Sequence, residues 1–283
     1  MARNPYRSQK IAFFCLLLAT LFIVVPVGMI VVVIIKKGIA GITWQFLTDV
    51  PRKGMRAGGI FPAIVGTVYL VTGAISFALP IGLFAAIYLS EYARDNFLTR
   101  MIKLAIVNLA GVPSVVYGLF GLSLFVVFFK FGASILSGAL TLGIMILPLI
   151  ITASREALES VPASFREASL SLGASKWQTI RHIVLPNAVP GILTGTILGL
   201  GRAAGETAPI LFTAAAFYLP RLPHSIFDQV MALPYHLYVI STQVPNVDEK
   251  IRYGTALVLV FLVLVMNLIT VVIRYQFRKK KKW

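Results

Sequence analysis

Acidic residues are scarce in this chain, ten Asp and Glu among 283 residues, and cysteine and histidine are scarcer still at one and three. A lone cysteine, Cys15, excludes a disulfide within the chain; inside an apolar run it reads as a small apolar residue. His182, His224 and His236 fall in no H-E-x-x-H or cysteine-partnered pattern, so they read as ordinary loop residues rather than zinc ligands. No G-x-x-x-x-G-K-[ST] is present, which excludes a P-loop for ATP phosphates, and no G-x-S-x-G marks a nucleophile. Gly199, Gly201 and Ala204 have G-x-G-x-x-A spacing, but no strand precedes them, which removes the dinucleotide reading. These absences disfavour an enzyme and leave no metal or cofactor site in the chain.

What the chain has in excess is apolar length. Hydrophobic residues make up 58% and charged residues 13%, with mean hydropathy +0.87, more apolar side chain than one soluble core of this size can bury. The fold class that follows is all-α and integral to a membrane. Apolar runs predict six spans, at about residues 11–35, 61–89, 104–129, 133–153, 188–219 (interrupted) and 254–275. The first run is about twice as long as the apolar core of a cleaved signal peptide, so it reads as a span.

The net charge of +16 would suggest nucleic acid in a soluble protein, but here it lies in loops and tails and reports topology. With both termini inside, the inner segments hold sixteen Lys and Arg and the outer ones nine. The positive-inside rule then places both termini in the cytoplasm. The basic tail can also meet anionic membrane lipid. Proline recurs within the spans, at Pro26, Pro62, Pro80, Pro113, Pro148 and Pro209, as it does where neighbouring helices or a cavity satisfy the freed backbone groups. Gly191, Gly195 and Gly199 recur at every fourth residue of span five, a smooth face for helix packing, either within the chain or at a subunit interface.

The segment 154–186 is different. Ser164 followed by Glu167 reads as a capping box starting a helix, Gly173 supplies a left-handed stop, and Ser175 caps a second helix limited by Pro186 and Pro190. Such a short helix, turn and helix between spans is shaped to dock on a protein at the cytoplasmic face. Next to it, span five carries two charges, Arg202 and Glu206. An ionisable residue in a span usually faces a cavity or a partner, and Arg suits an oxyanion. Thr207 could cap a half-helix starting at Ala208 and aim its positive end at an anion. The alternative is an i,i+4 pair that neutralises itself.

Glu167-Ala168-Ser169, three residues, Gly173, nine residues, then Ile183-Val184-Leu185-Pro186 resembles the E-A-A, G, I-x-L-P loop of ABC importer permeases, with Ser169 in place of the third residue's alanine. Residues 201–209 (GRAAGETAP) with 108–114 (NLAGVPS) resemble phosphate ABC transporter permeases of the PstA type. The resemblance covers residue 60 onward and implies a type I ABC importer permease fold. It further implies that Glu167, Ala168, Ser169, Gly173, Ile183, Leu185 and Pro186 couple to a dimeric ATP-binding subunit, which binds the ATP. A PstC-type permease as heterodimer partner, an extracytoplasmic phosphate-binding protein and a bacterial or archaeal inner membrane follow from it too. The expected organisation is an N-terminal helix and outer loop (1–60), a transmembrane domain (61–275) with its coupling loop, and a basic tail (276–283). Readings kept open are a permease for another oxyanion such as sulfate or molybdate, a carrier or channel acting alone, and a membrane-embedded enzyme.

Overall fold

A computed structural model of the chain describes residues 5–279. The ends of the sequence, including Arg3 and the lysines at 280–282 of the basic tail, lie outside the described residues.

The long helices are α1 (Pro5–Gly38), α3 (Phe61–Ile87), α6 (Ile135–Glu159), α9 (Leu185–Gly205) and α12 (Glu249–Lys279). α12 runs unbroken through 276, so the basic end of the described chain is helical rather than a separate tail. Between them lie α2 (Trp44–Thr48), α4 (Phe97–Ala110), α5 (Ser114–Gly121), α7 (Ala163–Ser171), α8 (Lys176–Thr179), α10 (Ala208–Thr213) and α11 (Leu233–Thr242), with a small hairpin of β1 (Pro51–Arg52) and β2 (Ala57–Gly58). Helix is the structure that satisfies every backbone polar group within its own segment, as hydrocarbon requires. Starts are capped where the sequence allows: Asn96 Oδ1 accepts from Thr99 N–H at 2.9 Å before α4, and Ser134 Oγ from Ser137 N–H at 3.2 Å before α6.

Close approaches fix the directions of the helices. Gly73 of α3 faces Ala139 of α6 and Gly82 faces Ile150, so the numbers rise together and the two helices are parallel. Gly191 and Gly195 of α9 face Ala157 and Ala153, so α9 is antiparallel to α6. Arg274 Nη1 donates to Thr194 Oγ1 at 3.2 Å while Gly201 faces Asn267, so α12 is antiparallel to α9. Lys37 near the end of α1 pairs with Glu249 at the start of α12 at 3.1 Å, so α1 is antiparallel to α12. Both outer helices therefore begin or end at the end of the bundle that carries α7 and α8.

Parallel α3 and α6 require the chain between them to return along the whole bundle. α4 and α5, with the wide turn that follows to Phe128, make that return over the span expected at 104–129, but bent: the two halves meet at 102°. The cause is local. Pro113 has no N–H and disfavours helical backbone at the preceding residue, while Gly111 closes α4. Five helices are long and apolar enough to cross a membrane, or six with this bent pair counted as one span.

The main core joins α3, α6 and α9 to the segment that follows α10. Residues 230–233, between the fifth and sixth expected spans, are at most 2% exposed, and Leu233 N–H donates to Thr67 Oγ1 at 2.8 Å. That segment is a packed insert at the far end, not a surface loop. A second, smaller cluster (Ala86, Ile87, Leu158, Val161, Ile180, Val184) lies at the opposite end, beneath α7 and α8.

Candidate functional site

At that end α7 begins at Ala163 with Pro162 in the N-cap position and no side-chain cap. The capping box expected at Ser164 and Glu167 does not form, because Pro162, with its fixed φ of −57°, starts the helix early and leaves Ser164 inside it. The reciprocal box is one helix later: Gln178 N–H donates to Ser175 Oγ at 3.3 Å and Ser175 N–H to Gln178 Oε1 at 2.7 Å. Gly173 stands between the two helices at φ +81°, where a β-branched or bulky side chain would be strained. Its N–H reaches Leu170 O at 2.9 Å and closes the end of α7.

Pro186 and Pro190 do not limit the second helix. α8 passes through a wide turn at residues 180–184 into α9, and Pro186 lies in the first turn of α9, where a missing N–H is harmless. Of the motif residues, Glu167 and Ala168 are exposed, Ser169 and Ile183 half-buried, Leu185 half-buried and Pro186 exposed. Ser169 Oγ lies 2.9 Å from Thr179 Oγ1, so the departure from alanine supplies a hydroxyl link across the turn. Leu172 is 89% exposed, Leu170 50% and Trp177 46%, leaving an uncovered apolar surface on the block. Sequence reasoning missed Arg166, which reaches Glu91 at 2.7 Å. An acid at the end of span two, in a chain with so few, was the available signal.

At the opposite end of α9 the helix stops at Gly205, and Glu206 is extended (φ −75°, ψ 135°). Arg202 Nε and Glu206 Oε1 are 3.6 Å apart, an ion pair without a hydrogen bond, with side chains 33% and 19% exposed. Thr207 occupies the N-cap position of α10 but makes no cap bond: its backbone is helical (φ −111°, ψ −46°) rather than extended, which turns the hydroxyl away from the first amides. The expected capped half-helix is thus a six-residue helix without a side-chain cap.

The two sequence stretches that carried the substrate resemblance meet here. Gly118, one turn into α5, faces Ala208 and Pro209 at the start of α10. Tyr117 is close enough to feel the charge of Arg202, and its hydroxyl donates to Leu109 O at 2.8 Å. The break at 111–113 and the break at 206–207 therefore flank one contact. Asn267 of α12, facing Gly201, has a buried Oδ1 without a hydrogen-bond partner, a polar group the sequence reading did not single out. A concave space of about 860 Å³ between α3, α6 and residues 223–226 includes neither Arg202 nor Glu206.

Gly191 and Gly195 resolve the alternatives left for the glycine face. A Cβ on either would lie 2.5 Å from Ala157 Cβ or Ala153 Cβ of α6, whereas one on Gly199 would make ordinary contact with Ile150 at 3.5 Å. The face is occupied within the chain.

A helical bundle with a bent crossing and a helix–glycine–helix block between two spans has the architecture of a type I ABC importer permease. The profile of the family described as "Binding-protein-dependent transport system inner membrane component" matches residues 78–283, and the chain belongs to that family, as a multi-pass inner-membrane transport subunit rather than an enzyme. It is 35% identical over 266 residues to the "Probable ABC transporter permease protein YqgI" of Bacillus subtilis, spanning 89% of this chain and 90% of that one. It is 37% identical over 227 residues to the "Phosphate transport system permease protein PstA 1" of Mycobacterium tuberculosis, spanning 80% and 73%. Among solved structures, a bacterial ABC transporter for import of the acidic polysaccharide alginate aligns with TM-score 0.67 at 14% identity over 99% of this chain and 100% of that chain. The inward-facing MetNI methionine transporter aligns with TM-score 0.60 at 16% identity over 76% and 94%. These structural likenesses support the fold.

Proposed function

We propose that the chain is a permease subunit of an ATP-driven importer for inorganic phosphate, providing half of the path while a separate subunit hydrolyses ATP. The observation that carries the permease reading is the α7–Gly173–α8 block: it stands at one end of the bundle with its apolar outer surface uncovered, as a docking element for an ATPase would. Phosphate as substrate is supported by the relatives described as phosphate transport permeases and by Arg202, a fixed fork of donors beside a broken helix. A PstC-type permease is the partner proposed for the exposed face of α5, which carries Val115, Val116, Leu119 and Phe120. An extracytoplasmic phosphate-binding protein would deliver the anion to the far end.

The proposed orientation puts α7, α8 and both termini in the cytoplasm, supported by the basic count. Two measurements test the whole. In a Cys15→Ser background, Asn246→Cys should label from outside intact cells and Lys279→Cys should not. Phosphate, and not sulfate or molybdate, should drive uptake with ATP hydrolysis in the reconstituted complex. Uptake by this chain without an ATPase would favour a self-sufficient carrier and sink the proposal.

A further inference from the structure

No residue of α7 is fully buried. Its most extensive polar tie inward is one side chain. Arg166 Nη2 donates to Glu91 Oε1 at 2.7 Å and to Leu158 O at 2.9 Å, Nη1 donates to Val161 O at 2.6 Å, and Nε lies 3.2 and 3.3 Å from the two Glu91 oxygens. Glu91 is in the wide turn that ends α3, Leu158 is in the last turn of α6, and Val161 follows it. The Glu91 side chain is 8% exposed and that of Arg166 22%, so this is not a solvated surface pair. A lysine could not replace it: an ammonium is a single point, whereas the planar guanidinium meets a carboxylate and two carbonyls at once.

We propose that Arg166 is a positioning residue that fastens the docking helix to the ends of both parallel spans, α3 and α6, so that a displacement of α7 is delivered to that pair together. The proposal rests on the reading of α7 as the element that meets the ATPase. Two further ties act at the same place: Ser169 to Thr179 joins α7 to α8, and Lys176 stands 4.8 Å over the Tyr92 ring, joining α8 to the end of α3. Outward on α7, Glu167 and Ala168 remain exposed for the partner. A side chain directed inward to two spans, on a helix otherwise directed outward, is what a mechanical link needs. A purely structural clamp would need no such division.

The test has two readouts. Hydrogen exchange of the purified chain in lipid nanodiscs should show residues 163–171 exchanging about tenfold or more faster in Arg166→Met, with the centre of α6 unchanged. In the reconstituted complex, the same variant should still bind the ATPase but move about tenfold less phosphate per ATP. Arg166→Lys should resemble Arg166→Met, and Glu91→Gln, which keeps an acceptor, should lose less; these two carry both readouts if Arg166→Met fails to assemble. Unchanged exchange in α7 overturns the clamp. Faster exchange with an unchanged phosphate-to-ATP ratio overturns the coupling role. A parent complex that hydrolyses ATP without moving phosphate would sink the permease reading and the coupling role with it, a failure visible before any variant is compared.

Discussion

Replacing Arg202 and Glu206 together by leucine separates a pathway role from a structural one. The charged atoms are 3.6 Å apart with side chains 33% and 19% exposed. Their bare attraction is about 4–5 kcal/mol at an effective dielectric constant near 20. Net of dehydration and side-chain ordering, partly exposed pairs are worth about 0–1 kcal/mol. Exchanging such a pair for apolar residues is often neutral. Assembly should therefore change by no more than about fivefold, since each 1.4 kcal/mol is tenfold. Removing a charged donor from a bound anion is a larger loss, about 1.5–3 kcal/mol per bond, or about ten- to a hundredfold. Phosphate uptake normalised to assembled complex removes the first effect and keeps the second. Arg202→Lys, which retains charge but not the fork, should also be impaired with normal expression. Full normalised uptake by the double leucine variant would take both residues out of the path and leave the phosphate assignment to the relatives alone.

Gly173→Val should lose coupling while Gly173→Asn largely keeps it: the φ of +81° strains a β-branched residue, Asn tolerates such backbone, and no atom lies within 4 Å to clash with either. Equal uptake from both would show that the turn does not matter. Gly195→Ala should destabilise the solubilised chain by about 1–3 kcal/mol, because its Cβ would meet Ala153 Cβ at 2.5 Å, and Ala153→Gly should rescue it; Gly199→Ala, at 3.5 Å, should be silent. Equal melting temperatures for Gly195→Ala and Gly199→Ala would refute the packing. His236, 2% exposed in α11, has its pKa lowered to about 4 by burial. Its folded value lies below the ordinary 6.5, so the stability from keeping it neutral is present above pH 6.5 and lost as pH falls toward 4, about 3 kcal/mol in all. His236→Gln should flatten the stability profile in that window; an unchanged profile would remove His236 from acid sensitivity.

The sequence was legible where one residue type has one physical use. Apolar runs too long for a soluble core announced the spans, and Gly173 and Ser175 announced the turn and the cap that the structure holds at φ +81° and 3.3 Å. It was misleading where two neighbours compete for one job. Pro162 and Ser164 could both start α7, and the fixed φ of proline prevailed over the hydroxyl. Pro186 and Pro190 looked like stops, but a wide turn at residues 180–184 precedes the first, and the first turn of a helix does without its N–H. The bend of 102° at residues 111–113 was written in a glycine and a proline, yet its angle depends on α5 packing against α10, a contact between residues about ninety apart. Arg166 was unreadable for the same reason: its worth lies in Glu91, 75 positions away, and in two carbonyls that no side-chain pattern reveals.

That long-range geometry gives α9 its place in the proposed function. From Leu185 to Gly205 it has 21 residues, a rod of about 30 Å at 1.5 Å per residue. Its first turn carries Leu185 and Pro186 of the docking motif, and its last turn carries Arg202. Two Cβ-free positions, Gly191 and Gly195, let it lie close against α6, with Ile192 buried beside them in the cluster that includes Leu158. The pair of parallel spans, by contrast, is held to α7 through Arg166. In the proposed coupling the block would have two outputs, one through α7 to α3 and α6, and one through α8 directly into α9. Relative movement of α9 against α6 would act on the break at residues 206–207, where α10 meets α5, and so on the distance between Arg202 and the bent crossing. In the proposed cycle these two packed groups would shift against each other, and the α6–α9 contact, close-packed at Gly191 and Gly195, is the seam along which that shift would have to occur.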